Sequence, residues 1–494
     1  MNFRQWYAAV LIAVIFLSMG AGPVAGKNYP IDNSTYATPS AFQNFLNTTS
    51  DGDTITFASG TYFYYNIVVL SNNLTFQSNQ STGATTRNTI LDGINSPGPT
   101  AEGILYNTSS TGAQITNITV RDLTFRNGYS SSSDGGGAIH SYANTSVISS
   151  DFMNDTAPGK NGGGAVSVHS YGLLLTVTGS NFTSCSALEG GALYMSTPGI
   201  IAVSSSSFVN CHGTTNGGAV YASNQVNATF CRFGSTTSGA GDILHTNGGD
   251  IYAPDNWWGT NSPAASLAQH IGGGTLYQYP YLVLGITAMP AGISTSQASS
   301  IQANLSYDST GALVAGNILP DGIPVIFSIG SGPAGAAISL PQVLTTGHQA
   351  ATPFSSPAAG TALVNASVDG YNVSVNVQVT ATASPGNGGG GGRTDYWVQP
   401  GSNEGVGYQG QQPAPLGVGP GPTKTIQVTP VETPAGTPAV IPPLPVPSPT
   451  ILDRIVQLIQ EYLAWLILIV IIIILAVLLR RWWIRRQNPG LFRK

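Results

Sequence analysis

The feature that most constrains this chain is a repeated Gly-Gly-Ala-apolar unit. GGAIHSYA begins at Gly136, GGAVSVHS at Gly163, GGALYMST at Gly190 and GGAVYASN at Gly217. The alanines Ala138, Ala165, Ala192 and Ala219 are each 27 residues apart. A second landmark alternates with them, a serine-rich run ending in phenylalanine. Phe125, Phe152, Phe182, Phe208 and Phe233 follow one another at 27, 30, 26 and 25 residues. A period in the range of roughly 20 to 50 residues marks stacked units that cannot bury their apolar faces alone. These units hold too much Gly, Ser, Asn and Thr for a helix. Short β-branched runs between Gly and Asn turns predict several brief strands per unit instead.

Parallel stacking of such units sets equivalent residues ~4.8 Å apart in ladders along one axis. The positions that stay apolar, Ile139, Val166, Leu193 and Val220 together with the phenylalanines, point inward. Glycines at the corners allow positive φ or close approach of layers. Asn127, Asn154 and Asn210, two residues after a phenylalanine, form a partial asparagine ladder that Ser184 and Ser235 interrupt. Cys185 and Cys211 each lie three residues after a phenylalanine and fall on adjacent layers, as a bridge or as a pair of buried thiols. With Cys231 they are the only cysteines, too few for a disulfide scaffold, and no CxxC metal spacing occurs.

The stretch DGDTITFASGTY, from Asp51, resembles the entry into the right-handed parallel β-helix of the pectin-lyase-like fold. TPSAFQNFLN before it predicts a capping helix, with Thr38 as N-cap, Pro39 first, and Phe42, Phe45 and Leu46 buried. Residues 27–265 then make eight or nine coils. DNWWGTNSP at Asp255, YLVLGITAMPAGISTSQ after it and RRWWIRRQNP near the end resemble adhesin-like surface proteins of methanogenic archaea. That resemblance implies that Trp257 and Trp258 end the helix structurally; the alternative is a sugar-stacking role.

Beyond Tyr281 the pattern changes to strands at wider spacing. VSVNVQVT, Val373 to Thr380, alternates as a half-buried strand. DGIPVIFSI and GTALVNASVDGY resemble the Ig-like domains of invasin-type adhesins, which implies a β-sandwich over 282–383 acting as a spacer. Pro324 places its strand at an edge. Residues 384–450 are a Gly- and Pro-rich linker. Residues 451–479 hold a membrane-proximal segment and a transmembrane helix built on the apolar run Leu463 to Leu479, and 480–494 a basic tail. Residues 1–26 predict a signal peptide. Basic residues stay cytoplasmic, so a single span leaves the bulk of the chain extracellular. The fold class expected is all-β, a parallel β-helix followed by an Ig-like sandwich, plus one C-terminal transmembrane helix.

Residues 27–450 carry eight basic and 19 acidic side chains, a net charge of −11, which excludes a nucleic-acid surface. Only 7% of the chain is charged, against about 25% in ordinary soluble domains. Thirteen N-x-[ST] sequons offer glycans as the missing hydration: Asn33, Asn47, Asn73, Asn79, Asn107, Asn117, Asn144, Asn154, Asn181, Asn227, Asn304, Asn365 and Asn372.

The β-helix fold also hosts polysaccharide lyases and hydrolases, which need clustered acids. The acids here scatter around the repeats, and no histidine stands with a serine and an acid in a recognisable triad, so no catalytic residue is assigned. Asp242, Asp250 and Asp255 are the acids from which a Ca²⁺ site could be built with loop carbonyls; otherwise no metal or cofactor is expected. His140, Ser167, Tyr194 and Tyr221, two after each GGA alanine, have outward parity and are expected on the surface. Of these, His140, Tyr194 and Tyr221, with Trp257 and Trp258, are the candidate ligand contacts. The reading is a membrane-anchored surface glycoprotein that binds extracellular glycans or surface proteins. A polysaccharide lyase or hydrolase and a structural envelope protein are the alternatives.

Overall fold

The computed structural model describes residues 26–382, apart from 71–72, 95–100, 108–116, 160–161, 170–172, 197, 272 and 315–318. The expected signal peptide, linker, membrane span and basic tail therefore lie outside the described residues. Among the described residues no helix is long and apolar enough to cross a membrane.

The chain opens with a short strand and the helix Pro39–Leu46. Thr38 caps it, its hydroxyl accepting from the Ala41 N–H at 3.2 Å. Phe42 and Leu46 are buried, and Phe42 stacks on Tyr64 at 4.4 Å. Phe45 packs edge-on against Tyr29 from a half-buried position. The helix thus covers the first coil, as its amphipathic spacing predicts.

Four parallel sheets follow, each taking at most one strand per coil. The ten-stranded sheet runs from Asn28–Ile31 to Leu276–Tyr277. The eight-stranded sheet holds the GGA strands, such as Leu193–Met195 and Val220–Ala222, and the seven-stranded sheet holds the phenylalanine strands. This is a parallel β-solenoid. Ile139, Val166, Leu193 and Val220 stand in register and are at most 1% exposed. The five phenylalanines form one continuous stack, with ring centroids 4.8–5.4 Å apart.

The corners explain the small-residue content. Asn127, Asn154, Ser184, Asn210 and Ser235 all adopt left-handed φ, between 49° and 57°. The serines interrupt the asparagine ladder in chemistry but keep its backbone conformation. The second glycine of each GGA unit serves closeness instead. A Cβ on Gly164 would collide with the carbonyl oxygen of Gly191, and one on Gly191 with that of Gly218. Cys185, Cys211 and Cys231 are buried free thiols, which resolves the bridge-or-thiol alternative in favour of thiols. Burial pushes Cys231 up to about 12.

One boundary and one strand position differ from expectation. The solenoid continues past residue 265, because Ala268–Ile271 and Leu276–Tyr277 add rungs to two sheets after the NWWG motif. The strand Pro324–Ser331 is interior, paired with both Gly360–Val368 and Gln342–Leu344. Proline is tolerated there as the first residue of the strand rather than by an edge position.

Residues from Leu282 onward form a four-stranded and a five-stranded sheet, largely antiparallel, around a second core. Both cores lie within one compact unit. Trp257 and Trp258 are divided between them. Trp258 ends the phenylalanine stack, 5.0 Å from Phe233, whereas Trp257 packs with the sandwich core. The hairpin between Gly360–Val368 and Tyr371–Thr380 turns at Asp369 and Gly370, both with left-handed φ (52° and 84°). Its Asp369 carboxylate accepts from Arg232 Nε at 3.0 Å, Arg232 Nη2 at 2.5 Å and Trp257 Nε1 at 2.9 Å. Gly234 makes room for this approach, since a Cβ there would lie 2.5 Å from Asp369 Oδ1.

Candidate functional site

The outward ladder of the eight-stranded sheet is in register as expected: His140, Ser167, Tyr194, Tyr221 and then His245. Its exposure is not as expected. His140 and Tyr194 are each 4% exposed and Tyr221 is 8% exposed. Tyr221 lies between Tyr194 at 5.2 Å and 11° and His245 at 5.1 Å and 6°, so both its ring faces are occupied. These side chains do take the outward side of the sheet, but neighbouring segments fold over this face. Ser167, for example, donates to the carbonyl of Asp134 at 2.9 Å. The aromatic faces that were to meet a ligand instead meet neighbouring rings, which corrects the expectation for His140, Tyr194 and Tyr221. Burial, with Glu189 alongside, raises both tyrosine hydroxyls above their ordinary range.

Polar chemistry is gathered along this face in ways that residue patterns alone did not reveal. His140 Nδ1 faces Glu102 Oε2 at 3.0 Å, and this hydrogen bond holds the Glu102 carboxyl below its usual range. His140 Nε2 is enclosed without a partner among the described residues. His245 Nδ1 meets Asp242 Oδ2 at 2.6 Å.

His169 lies between two serines, with Ser167 Oγ 2.5 Å from Nε2 and Ser196 Oγ 2.6 Å from Nδ1. Ser167 spends its proton on the Asp134 carbonyl, so it accepts from Nε2–H, and Nδ1 accepts from the Ser196 hydroxyl. Burial, then the neighbouring His140, lowers His169 to about 4. The sequence did carry a signal for this contact, because Ser196 follows His169 by 27 residues, one repeat period.

The other sequence candidates are dispersed. Trp257 and Trp258 are 0% and 3% exposed and join the two cores, which leaves neither ring a face for a sugar. The three acids proposed for Ca²⁺ serve separate hydrogen bonds. Asp242 accepts from Gly217 N–H and Ser238 Oγ, and Asp250 accepts from Thr275 N–H at 2.8 Å. Burial raises Asp255, and the nearby charge of Asp308 adds to that. Among the described residues no three His, Cys, Asp or Glu side chains are placed to hold a metal.

Of the sequons, Asn33, Asn47, Asn73, Asn117, Asn154, Asn181 and Asn372 are exposed. Asn79, Asn144, Asn227, Asn304 and Asn365 are half-buried. Asn107 is 1% exposed, with its Oδ1 accepting from Tyr142 N–H and its Nδ2 enclosed. The fold has no room for a glycan there, and Asn107 leaves the set. Three tyrosines that the sequence reading passed over, Tyr252, Tyr277 and Tyr279, are by contrast exposed, at 42%, 37% and 63%.

No family model matches the chain, and no curated protein does. Among solved structures the chain is similar to the D00–D0 domain of intimin, at 21% identity and a TM-score of 0.15, over 20% of this chain and 43% of that one. It is similar also to the D0–D1 domain of intimin, at 21% identity and a TM-score of 0.16, over 20% and 48%. A third is the C-terminal 282-residue fragment of intimin in complex with the intimin-binding domain of its translocated receptor, at 18% identity and a TM-score of 0.17, over 20% and 33%. The chain spans less than half the length of each.

Proposed function

We propose that this chain is an adhesin-like cell-surface glycoprotein that binds extracellular glycans or surface proteins and does not turn them over. The observation that carries this reading is the build of the described residues. The solenoid presents a ten-rung lateral sheet face of mainly uncharged polar side chains, and the end of its separate seven-stranded sheet is joined to a β-sandwich through the buried Arg232–Asp369 pair. Stacked repeats offer long binding surfaces, and the pair fixes the sandwich to the solenoid that carries this one. The apolar run at 463–479 is the proposed anchor, with the solenoid and sandwich outside the cell. A right-handed, pectin-lyase-like coil is part of the same proposal.

The test is a panel of polysaccharides and intact cells presented to the full-length protein in lipid nanodiscs, scored for retention and for released product. Retention without product is expected; product release would overturn the reading. One observation favours a second reading, an acyl-ester hydrolase, namely the Ser196–His169–Ser167 relay, which has the nucleophile–base–orienter order of covalent catalysis. A fluorophosphonate probe separates the two, because labelling that disappears in Ser196→Ala favours the hydrolase and absence of labelling the adhesin.

A further inference from the structure

We propose that Tyr252, Tyr277 and Tyr279 form a stacking platform for uncharged pyranose units of an extended glycan held along the outer face of the ten-stranded sheet. This rests on the binding function proposed above and moves the contact site away from Tyr194 and Tyr221. Tyr252 and Tyr277 are cross-strand partners on the last two rungs of that sheet, with ring centroids 5.8 Å apart. Tyr279 follows two residues later and is the most exposed of the three. Phe63, Tyr65 and Tyr307 are comparably exposed, and what sets Tyr252 and Tyr277 apart is their ring-to-ring contact on one sheet face. A tyrosine offers an apolar face to sugar C–H groups and a hydroxyl to sugar oxygens.

The surroundings specify the ligand's charge. Below Tyr252 the same outward column continues through Asn227, Ala202 and Thr176. None of the ten positions of that column, from Asn28 to Tyr277, carries a charge. In the adjacent outward column the cation is Arg121, five rungs below Tyr252, which at ~4.8 Å per rung is roughly 24 Å away. An acidic sugar on the tyrosines would find no countercharge there, whereas a neutral one finds amide and hydroxyl partners. Rungs repeating at this spacing suit a chain of sugars lying along the axis better than a single isolated ring.

The experiment measures affinity of the full-length protein for β-1,4-linked hexasaccharides of glucose, mannose, N-acetylglucosamine and mannuronate. At least one neutral hexasaccharide should bind, with mannuronate at least about tenfold weaker. Tyr252→Ala/Tyr277→Ala/Tyr279→Ala should lose about tenfold or more in affinity with an unchanged melting temperature, and the triple Phe variant should stay within about threefold. Full binding by the triple Ala variant would overturn the platform while leaving the adhesin reading intact. No binding of any hexasaccharide by wild type would also overturn it, and adhesion to whole cells then decides the broader reading separately. Because Asn227 is a sequon one rung below Tyr252, Asn227→Gln is run in parallel. Hexasaccharide binding only in Asn227→Gln would show the rings occupied by the protein's own glycan and would overturn an external ligand.

Discussion

Asp369→Gly tests whether the two cores act as one unit. Asp369 has φ 52°, a conformation that glycine adopts without strain, so the substitution removes the carboxylate and leaves the hairpin turn intact. What remains is Arg232, whose side chain is 11% exposed, and the Trp257 indole N–H, both without their acceptor. Removing one member of a buried ion pair costs about 3–5 kcal/mol, and an orphaned buried donor adds about 1–3 kcal/mol. Partial access of water to Arg232 trims the sum, so the expected loss is about 4 kcal/mol. Asp369→Asn keeps one acceptor and the turn, and should lose about half as much. The assay is urea unfolding of a fragment spanning residues 26–382, followed by tryptophan fluorescence, which reports Trp257 and Trp258, and by circular dichroism. Wild type should show coincident transitions. Asp369→Gly should show a lower midpoint and a fluorescence change that precedes loss of the sheet signal. Coincident transitions with a loss below about 1 kcal/mol would refute the claim that this pair couples the cores.

Two further predictions concern the solenoid. Gly164→Ala sets a Cβ against the Gly191 carbonyl and should prevent folding or cost several kcal/mol, whereas Gly292→Ala, with its nearest atom 3.9 Å away, should change stability by less than about 0.5 kcal/mol; thermal melts of both decide it. His169 titrates near 4 in the folded protein against an ordinary 6.5, so between those values the unfolded chain binds the proton that the folded chain refuses. Stability is therefore complete above pH 6.5 and falls as pH drops toward 4, by up to about 3 kcal/mol, and His169→Gln should flatten that part of the profile in unfolding measured across pH.

Much of the fold was legible because the solenoid is built from short-range rules repeated at a fixed period. The 27-residue spacing alone set which residues share a ladder, and alternation within each strand separated Ile139, Val166, Leu193 and Val220 from their outward neighbours. The capping helix was equally local, written in Thr38, Pro39 and the spacing of Phe42 and Leu46. Parity, however, says only which side of a sheet a residue takes. Whether that side meets water depends on what other segments do. Tyr194 and Tyr221 point outward yet are buried, because their rings stack along the ladder and flanking segments close over them. Tyr252 and Tyr277 sit outward on a different sheet and remain open. The adjacent Trp257 and Trp258 show the same limit: the motif announced an ending, but the division of the two rings between separate cores follows from the sandwich docking through Asp369. Asp369 lies 112 residues from Trp257 in sequence. By itself, then, the sequence determined the repeat, the ladders and their inward members, since these follow from backbone sterics and nearest-rung pairing. Only the tertiary structure decided which outward residues reach solvent and how the two cores are joined, because burial and ion pairing depend on contacts between segments far apart in the chain.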